Sequence, residues 1–488
     1  MTNQTKAEMN FEVLKNNFDK EDKRVLTGLS GYFIILVLIA FNACGTCDSG
    51  DSIVHFLFSK YAFLHPENFL DHWAKPLFVL LSAPFAQFGF IGLKLFNCGI
   101  AAITAWYCFK TAKTLHFKNA WLAAVFFCFT PGYFTHVFSG LTEPLFAFVL
   151  LLGVYLILKN QVAAALCAVS FLPFVRSEGL VIIGVFAVYL VLNKQFKYLP
   201  LLLSGHIFYS IAGVFYYHDL LWVFNKIPYS ESSGKYGHGN ITHFVVQLNY
   251  IIGVPLYALL ALGFVKKVIE LFSFRKIDEY RLMHPEVFLI YGSFLAFITA
   301  HSLFWYFGIF ESMGLNRVLA GVVPLAIIIS LKGFNFITGI IKQKVPALST
   351  AFILAAAVIV FPFVPNPASV NWEKDLSLSD EQLLVTDAYK LIKVDFPENT
   401  VLYYTHPYLI LLMNRDPFDV SQNHDLKMLW KEKRPAHYMV VWDNQFSLVE
   451  NGVTLEQLMA DKKLKLIKNF KTVNKGEESS VAVFEGND

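Results

Sequence analysis

The 488-residue chain is 55% hydrophobic and only 16% charged, with a mean hydropathy of +0.49, which excludes an ordinary soluble globular protein and indicates a polytopic membrane protein. Its net charge of +3, with basic residues spread over short loops, argues against a nucleic-acid partner. Six cysteines are too few for a disulfide scaffold in a chain of this length.

The polar, mixed-charge stretch Met1 to Arg24 lacks the features of a cleaved signal, so the apolar run that follows reads as a retained first helix. A bilayer is spanned by about 20 apolar residues, and by that measure the chain holds about eleven helices. They are expected near 26–44, 90–109, 119–137, 142–158, 161–174, 178–193, 198–217, 246–265, 285–305, 316–332 and 346–364, with Pro76 to Phe88 as a short interfacial helix. Cys98, Cys108, Cys128 and Cys167 fall inside these helices as small hydrophobes. Cys44 and Cys47 form a C-x-x-C just beyond the first helix, either a local disulfide or two free thiols, and with no second pair nearby zinc is not indicated.

Lysine and arginine in the short loops set the orientation. Lys110, Lys113, Lys118, Lys159, Lys194, Lys197, Lys266, Lys267, Arg275, Lys276, Arg281, Lys342 and Lys344 share one side, which is then the cytoplasm. The first loop 45–75, the turns at Glu143 and Arg176, the loop 218–242, the stretch before Arg317 and everything after Val364 fall on the opposite side. From residue 365 to 488 the composition becomes that of a small soluble α/β domain. Capping boxes are expected at Ser379/Gln382 and Thr454/Gln457, and strands at Thr400 to Tyr404, Tyr438 to Trp442, Lys465 to Phe470 and Ser480 to Phe484.

The side opposite the lysines also collects the chain's isolated ionisable groups: Asp48, Asp51, Glu143, Arg176, Glu178 and Arg317. Charges at membrane depth are costly and tend to line a substrate or ion path, so this convergence predicts a polar reaction chamber. Asp51 can take a proton from an acceptor hydroxyl or bind a divalent metal such as Mg or Mn. One of the two aspartates can instead simply cap the following helix, a reading that suits Asp48 better. His72 and Lys75, in H-P-E-N-F-L-D-H-W-A-K-P-L, can hold a sugar or lipid phosphate, or anchor the segment at headgroup depth. Glu143 is a candidate for substrate binding or a plain helix-N-terminal charge. Arg176 can grip a lipid-linked phosphate, or snorkel paired with Glu178, and Arg317 can supply a second cation. The loop 218–242 is long enough to act as a lid or binding loop, with Lys226, Tyr229, Lys235, Tyr236 and His238 as candidate contacts. P-loop, G-x-G-x-x-G, G-x-S-x-G and H-E-x-x-H patterns are absent.

The order of Gly50-Asp51-Ser52, W-x-K-P-L at Trp73 to Leu77, S-G-L-T-E-P-L-F-A at Ser139 to Ala147 and R-S-E-G at Arg176 to Gly179 resembles the GT-C superfamily of integral-membrane glycosyltransferases. The likeness is to bacterial relatives of the dolichyl-phosphate-mannose-dependent mannosyltransferases. It implies a transmembrane catalytic domain over 26–364, preceded by a cytoplasmic segment 1–25 and followed by an extracytoplasmic α/β domain over 365–488. It also implies an inverting hexosyltransferase of a bacterial inner membrane, acting on the periplasmic face. The donor would be a polyprenyl-phosphate sugar, mannose or another hexose, and the acceptor a hydroxyl on a glycan, lipid or protein. In that family a first-loop aspartate is the catalytic base, and Asp51 matches it best. Many members carry two adjacent acidic residues there, whereas Ser52 follows Asp51, so Asp48 stays a second candidate and metal use stays open. The rival class is a transporter or lipid flippase, in which internal repeats and polar groups near the bilayer midplane would be expected. A third is an inactive scaffold whose external domain binds a partner.

Overall fold

The computed structural model describes residues 19–229, 234–272, 283–341, 347–397, 400–474 and 476–487. Arg275, Lys276, Arg281, Lys342 and Lys344, counted among the cytoplasmic basic residues, lie outside the described residues, as does most of the N-terminal segment. Among the described residues, five helices are long and apolar enough to cross a membrane: Lys20–Asn42, Phe90–Thr114, Phe196–Tyr217, Glu286–Phe307 and Asn316–Ile341. Six shorter apolar helices accompany them, Pro76–Ala86, Glu143–Leu158, Val162–Phe174, Gly179–Leu192, His243–Ile252 and Ala351–Phe363. The chain is a membrane protein of α-helices with a small sheet domain at its C-terminal end.

Two spans expected to be continuous are broken, each at a residue that cannot continue a helix. The run 119–137 divides into Leu122–Cys128 and Pro131–Val137, because Pro131 lacks an N–H and forces Thr130 into an extended conformation (φ −80°, ψ 114°). The run 246–265 divides between His243–Ile252 and Val254–Phe272 at Gly253, whose φ of +81° is a left-handed setting natural only to glycine.

Charge sorts the bundle's two ends. At one, Lys110 pairs with Asp22 at 3.0 Å and Lys113 with Asp19 and Asp22 at 2.6 Å. Glu286 pairs with both Lys267 and Lys332 at 2.7 Å, and the Asn335 amide donates to the Lys118 carbonyl at 3.0 Å. Pairing of this kind lets lysines remain charged beside apolar helices. The acidic and arginine residues singled out above gather elsewhere, at or near the starts of other helices.

The C-terminal domain is a five-stranded sheet of order β2-β1-β3-β5-β4, built from β1 (Val401–Tyr404), β2 (Asn423–Asp425), β3 (His437–Asp443), β4 (Leu464–Asn474) and β5 (Glu477–Asn487). β1 runs parallel to β2 and β3, whereas β5 is antiparallel to β3 and β4. Alternation places Leu402, Met439, Val441, Val481 and Val483 in the main core shared with the helix Asp380–Asp395. Their neighbours Tyr403, Tyr438, Val440, Trp442 and Phe484 fill a second core on the other face. Both expected capping boxes are present, at Ser379/Gln382 and Thr454/Gln457. The domain is seated on the first loop. Gly45 N–H donates to the Leu376 carbonyl at 2.8 Å, Gln382 Nε2 to Thr46 Oγ1 at 2.7 Å, and His65 lies 2.7 Å from Asp416.

Candidate active site

The helix Asp51–Tyr61 starts the site. Its N-terminal amides are satisfied by Asp48, whose Oδ1 accepts from Gly50 N–H at 3.0 Å and Ser52 N–H at 2.9 Å. Asp48 thus does the capping that sequence reasoning allowed for one of the two aspartates. That leaves Asp51, in the first position of the helix, free of the role. Asp51 is also the more open of the pair, with its side chain 45% exposed against 26% for Asp48.

The Arg317 guanidinium straddles both, Nη1 on Asp48 Oδ2 and Nη2 on Asp51 Oδ2. Its Nε points towards Glu143 Oε1 at 3.7 Å. Glu143 opens the helix Glu143–Leu158, is 0% exposed, and takes Arg176 Nη1 at 2.7 Å. Arg176 Nη2 continues to Glu178 Oε1 at 2.9 Å, which lies 3.6 Å from His301 Nε2. The result is one alternating chain of charge, Asp48 and Asp51, Arg317, Glu143, Arg176, Glu178, ending on a buried imidazole. Four helix starts and two arginines that are distant in sequence meet there, as the common-face argument predicted.

Lys75 lies on the flank, in a left-handed conformation (φ +70°) that aims its ammonium at Ser177 Oγ, 2.8 Å away, and the His72 carbonyl at 3.1 Å. Across the first loop the His55 ring stacks on Trp73 with centroids 5.0 Å apart, and Trp73 Nε1 donates to Tyr229 Oη at 2.8 Å. That bond brings the loop 218–242 to the mouth of the site.

Electrostatics separates the two aspartates. Burial raises the Asp48 carboxyl above its ordinary value despite Arg317. Burial also pushes on Asp51, but there the Arg317 charge and hydrogen bond win and hold the carboxyl below the usual range. Burial pulls Lys75 down to about 8, against the opposing pull of Glu178.

Three expectations need correcting or refining. His72 does not line the site: it is buried, its Nε2 lies 3.0 Å from the Val223 carbonyl, and its ring packs between Phe174 and Trp222. His72 thus ties the first loop to the segment at Val223. Lys235 and Tyr236 are taken up by Glu450 of the sheet domain, at 2.5 Å and 3.0 Å, and so fasten the loop to that domain. His238 lies exposed in the same loop, beside the bond from Gly239 N–H to the Trp305 carbonyl at 3.1 Å. Cys44 and Cys47 are free thiols.

Among the described residues, no three or more His, Cys, Asp and Glu side chains gather as a metal cage requires. Asp48 and Asp51 would be the start of one, yet Arg317 already takes Oδ2 of each. These residues do not fit a Mg or Mn site, and the chemistry below is derived from side chains alone. The residue that sequence reasoning missed is His301, which lies inside the apolar helix Ser293–Phe307 and reaches the site only through packing.

No protein-family model matches the chain. No curated protein matches its sequence either. Solved structures match its shape, among them two of one protein. ArnT from Cupriavidus metallidurans bound to undecaprenyl phosphate aligns with a TM-score of 0.57 at 11% identity, covering 93% of this chain and 98% of that one. The same protein in the apo state aligns with a TM-score of 0.59 at 11% identity, covering 94% and 98%. Nearly the whole length of both proteins thus follows one path through space, and the fold of this chain is the GT-C fold, as in ArnT.

Proposed function

We propose that the chain is an inverting GT-C glycosyltransferase that moves a hexose, mannose or another, from a polyprenyl-phosphate donor to a hydroxyl of a lipid, glycan or protein. The reaction would take place at the extracytoplasmic face of a bacterial inner membrane. The observation that carries this reading is the chain of charge itself: an ionised, half-open Asp51 beside three cations, Arg317, Arg176 and Lys75, at the mouth of apolar helices. ArnT, which shares the fold, is known in a complex with undecaprenyl phosphate.

In this reading Asp51 takes the proton of the acceptor hydroxyl as its oxygen attacks the anomeric carbon. The bond from that carbon to the donor phosphate breaks on the opposite face, so the configuration inverts. Negative charge grows on the departing phosphate and is met by guanidinium and ammonium groups already in place. A phosphodiester donor is activated in advance, which agrees with the absence of nucleotide motifs. Arg317 has a double part: it holds Asp51 in its charged form at rest, and an arriving phosphate competes with Asp51 for the same guanidinium. A transporter finds less support, because the ionisable groups of the site sit at helix starts.

The test is transfer of radiolabelled mannose or glucose from its polyprenyl phosphate into membranes containing the protein. Incorporation that depends on the lipid-linked donor supports the proposal. No transfer from either donor, together with lipid-linked sugar moved across a sealed vesicle, would replace it with the flippase reading.

Lys75 adds a pH signature. Its ammonium is present below about pH 8 and lost above it. The donor kcat/KM is therefore expected to fall about tenfold between about pH 7 and about pH 9, following the charged fraction of one lysine. Lys75→Arg, which stays charged, should flatten that limb. A wild-type profile that is already flat would remove Lys75 from donor binding.

A further inference from the structure

The sheet of the C-terminal domain has two unlike ends, and its register tells them apart. β3 finishes at the end facing the first loop: Phe446 follows it, and its ring is so close to Gly50 that a Cβ there would meet it at 3.2 Å. β3 begins at the other end, where His437 stands opposite Asn487, and β4 begins there too, with Leu464 opposite Gly486. Seven residues of β3 separate the two ends, about 20 Å of extended chain. A cavity of about 490 Å³ opens at this distal end, between the segment from Leu429 to Arg434 and the turn Asp461 to Lys463 that leads into β4.

One wall of the cavity is an indole that is both exposed and held. Trp430 is 44% exposed, yet its Nε1 donates to Asp461 Oδ2 at 3.0 Å. Arg434 Nη2 donates to the same oxygen at 2.7 Å, and Asp461 Oδ1 accepts Lys463 N–H at 3.0 Å. Arg434 is itself pinned, by Nε to the Leu429 carbonyl at 3.0 Å and by Nη1 to Tyr438 Oη at 3.1 Å. The edge of the ring is thus satisfied and its orientation set, while much of its surface stays open. An aromatic ordered in advance avoids most of the entropy loss that binding otherwise carries.

Charge identifies what would fit against it. The lining holds four basic side chains, Lys433, Arg434, Lys462 and Lys463, against two acidic ones, Glu432 and Asp461. Asp461 is neutralised by Arg434, and Glu432 lies 2.9 Å from His424 Nδ1, so the excess is positive and is carried by Lys433 and Lys462, which line the same cavity as the ring. A flat apolar face next to ammonium groups complements a pyranose ring bearing acidic substituents. We propose that this distal end of the sheet domain is a binding site for an anionic glycan. A sugar ring stacks on Trp430, and its carboxylate, phosphate or sulfate groups pair with Lys433 and Lys462.

The test uses the full chain in detergent and titrates it with a heparin hexasaccharide, neutral maltohexaose, inorganic polyphosphate and poly-glutamate. Heparin binding that weakens with salt is expected, with little binding of maltohexaose. Trp430→Ala should lower heparin affinity about tenfold, the size of an aromatic anchor, and Trp430→Phe should restore most of it. Lys433→Gln with Lys462→Gln should weaken both heparin and polyphosphate, whereas Trp430→Ala should leave polyphosphate unchanged. Melting temperature in the same detergent establishes that each variant is folded, and the lysine pair and Trp430→Phe keep the test open should Trp430→Ala fail to fold. Heparin affinity indifferent to Trp430, or equal loss for polyphosphate, would reduce the site to a general basic patch and overturn the proposal. Tighter, Trp430-dependent binding of poly-glutamate would overturn it in favour of an acidic protein partner.

Discussion

Asp51→Asn is expected to lower the turnover of sugar transfer by about 10²- to 10⁴-fold, the range over which a positioned general base acts, while donor KM does not rise, because the amide competes less with the donor phosphate for Arg317. The amide preserves size and can still face Arg317, so the loss isolates proton acceptance. Asp48→Asn is the control that the geometry supplies. Asp48 Oδ1 accepts from Gly50 and Ser52 N–H, a role an Asn oxygen can keep, so its turnover is expected to fall by less than about tenfold. Rates measured with saturating lipid-linked donor compare the two variants directly. A large loss in Asp48→Asn with near-normal turnover in Asp51→Asn would transfer the base to Asp48 and leave Asp51 as a partner of Arg317.

The contrast between these aspartates was partly legible in the sequence, because Asp, Ser and Gly before an apolar run mark a helix start. The meeting of Asp51, Glu143, Arg176, Glu178 and Arg317 was legible for a related reason. Each lies at the end of an apolar segment, and the lysine pattern assigns all those ends to one side. Their pairing was not legible, since it depends on how helices far apart in sequence lean together. His301 shows the limit: in S-F-L-A-F-I-T-A-H-S-L-F-W-Y-F it is one imidazole in an apolar helix, ringed by Phe244, Phe297 and Phe304, and only packing carries it to Glu178. His72 shows the complementary case, a polar residue in a polar loop whose ring packs against Phe174 and Trp222. Hydropathy also averaged over Pro131 and Gly253, each of which ends a helix within a run that is apolar throughout. In the sheet domain the four longer strands announced themselves as runs rich in β-branched and aromatic residues, whereas β2, three residues reading Asn-His-Asp, has no such run to find.

Glu143→Gln is expected to destabilise the folded protein by about 3–5 kcal/mol, the loss usual when one partner of a buried ion pair is removed. The side chain is 0% exposed, and the replacement has nearly the same shape, so packing contributes little to the change. What changes is charge. Among the described residues, Glu143 is the carboxylate that pairs with both Arg176, at 2.7 Å, and Arg317, at 3.7 Å. Without it the two guanidiniums face each other across a dry contact, each left with acidic partners on its far side alone, Glu178 for Arg176 and the aspartate pair for Arg317. The measurement is the melting temperature in one detergent for wild type, Glu143→Gln, Arg176→Gln and the double variant. If the pair acts as a unit, the double variant should be less destabilised than the sum of the single ones, because removing both charges leaves no uncompensated cation. Strict additivity, or a Glu143→Gln variant that melts with wild type, would mean that Glu143 is not the anion joining the two arginines. The cations around Asp51 would then have to be held in place by the aspartates and Glu178 alone.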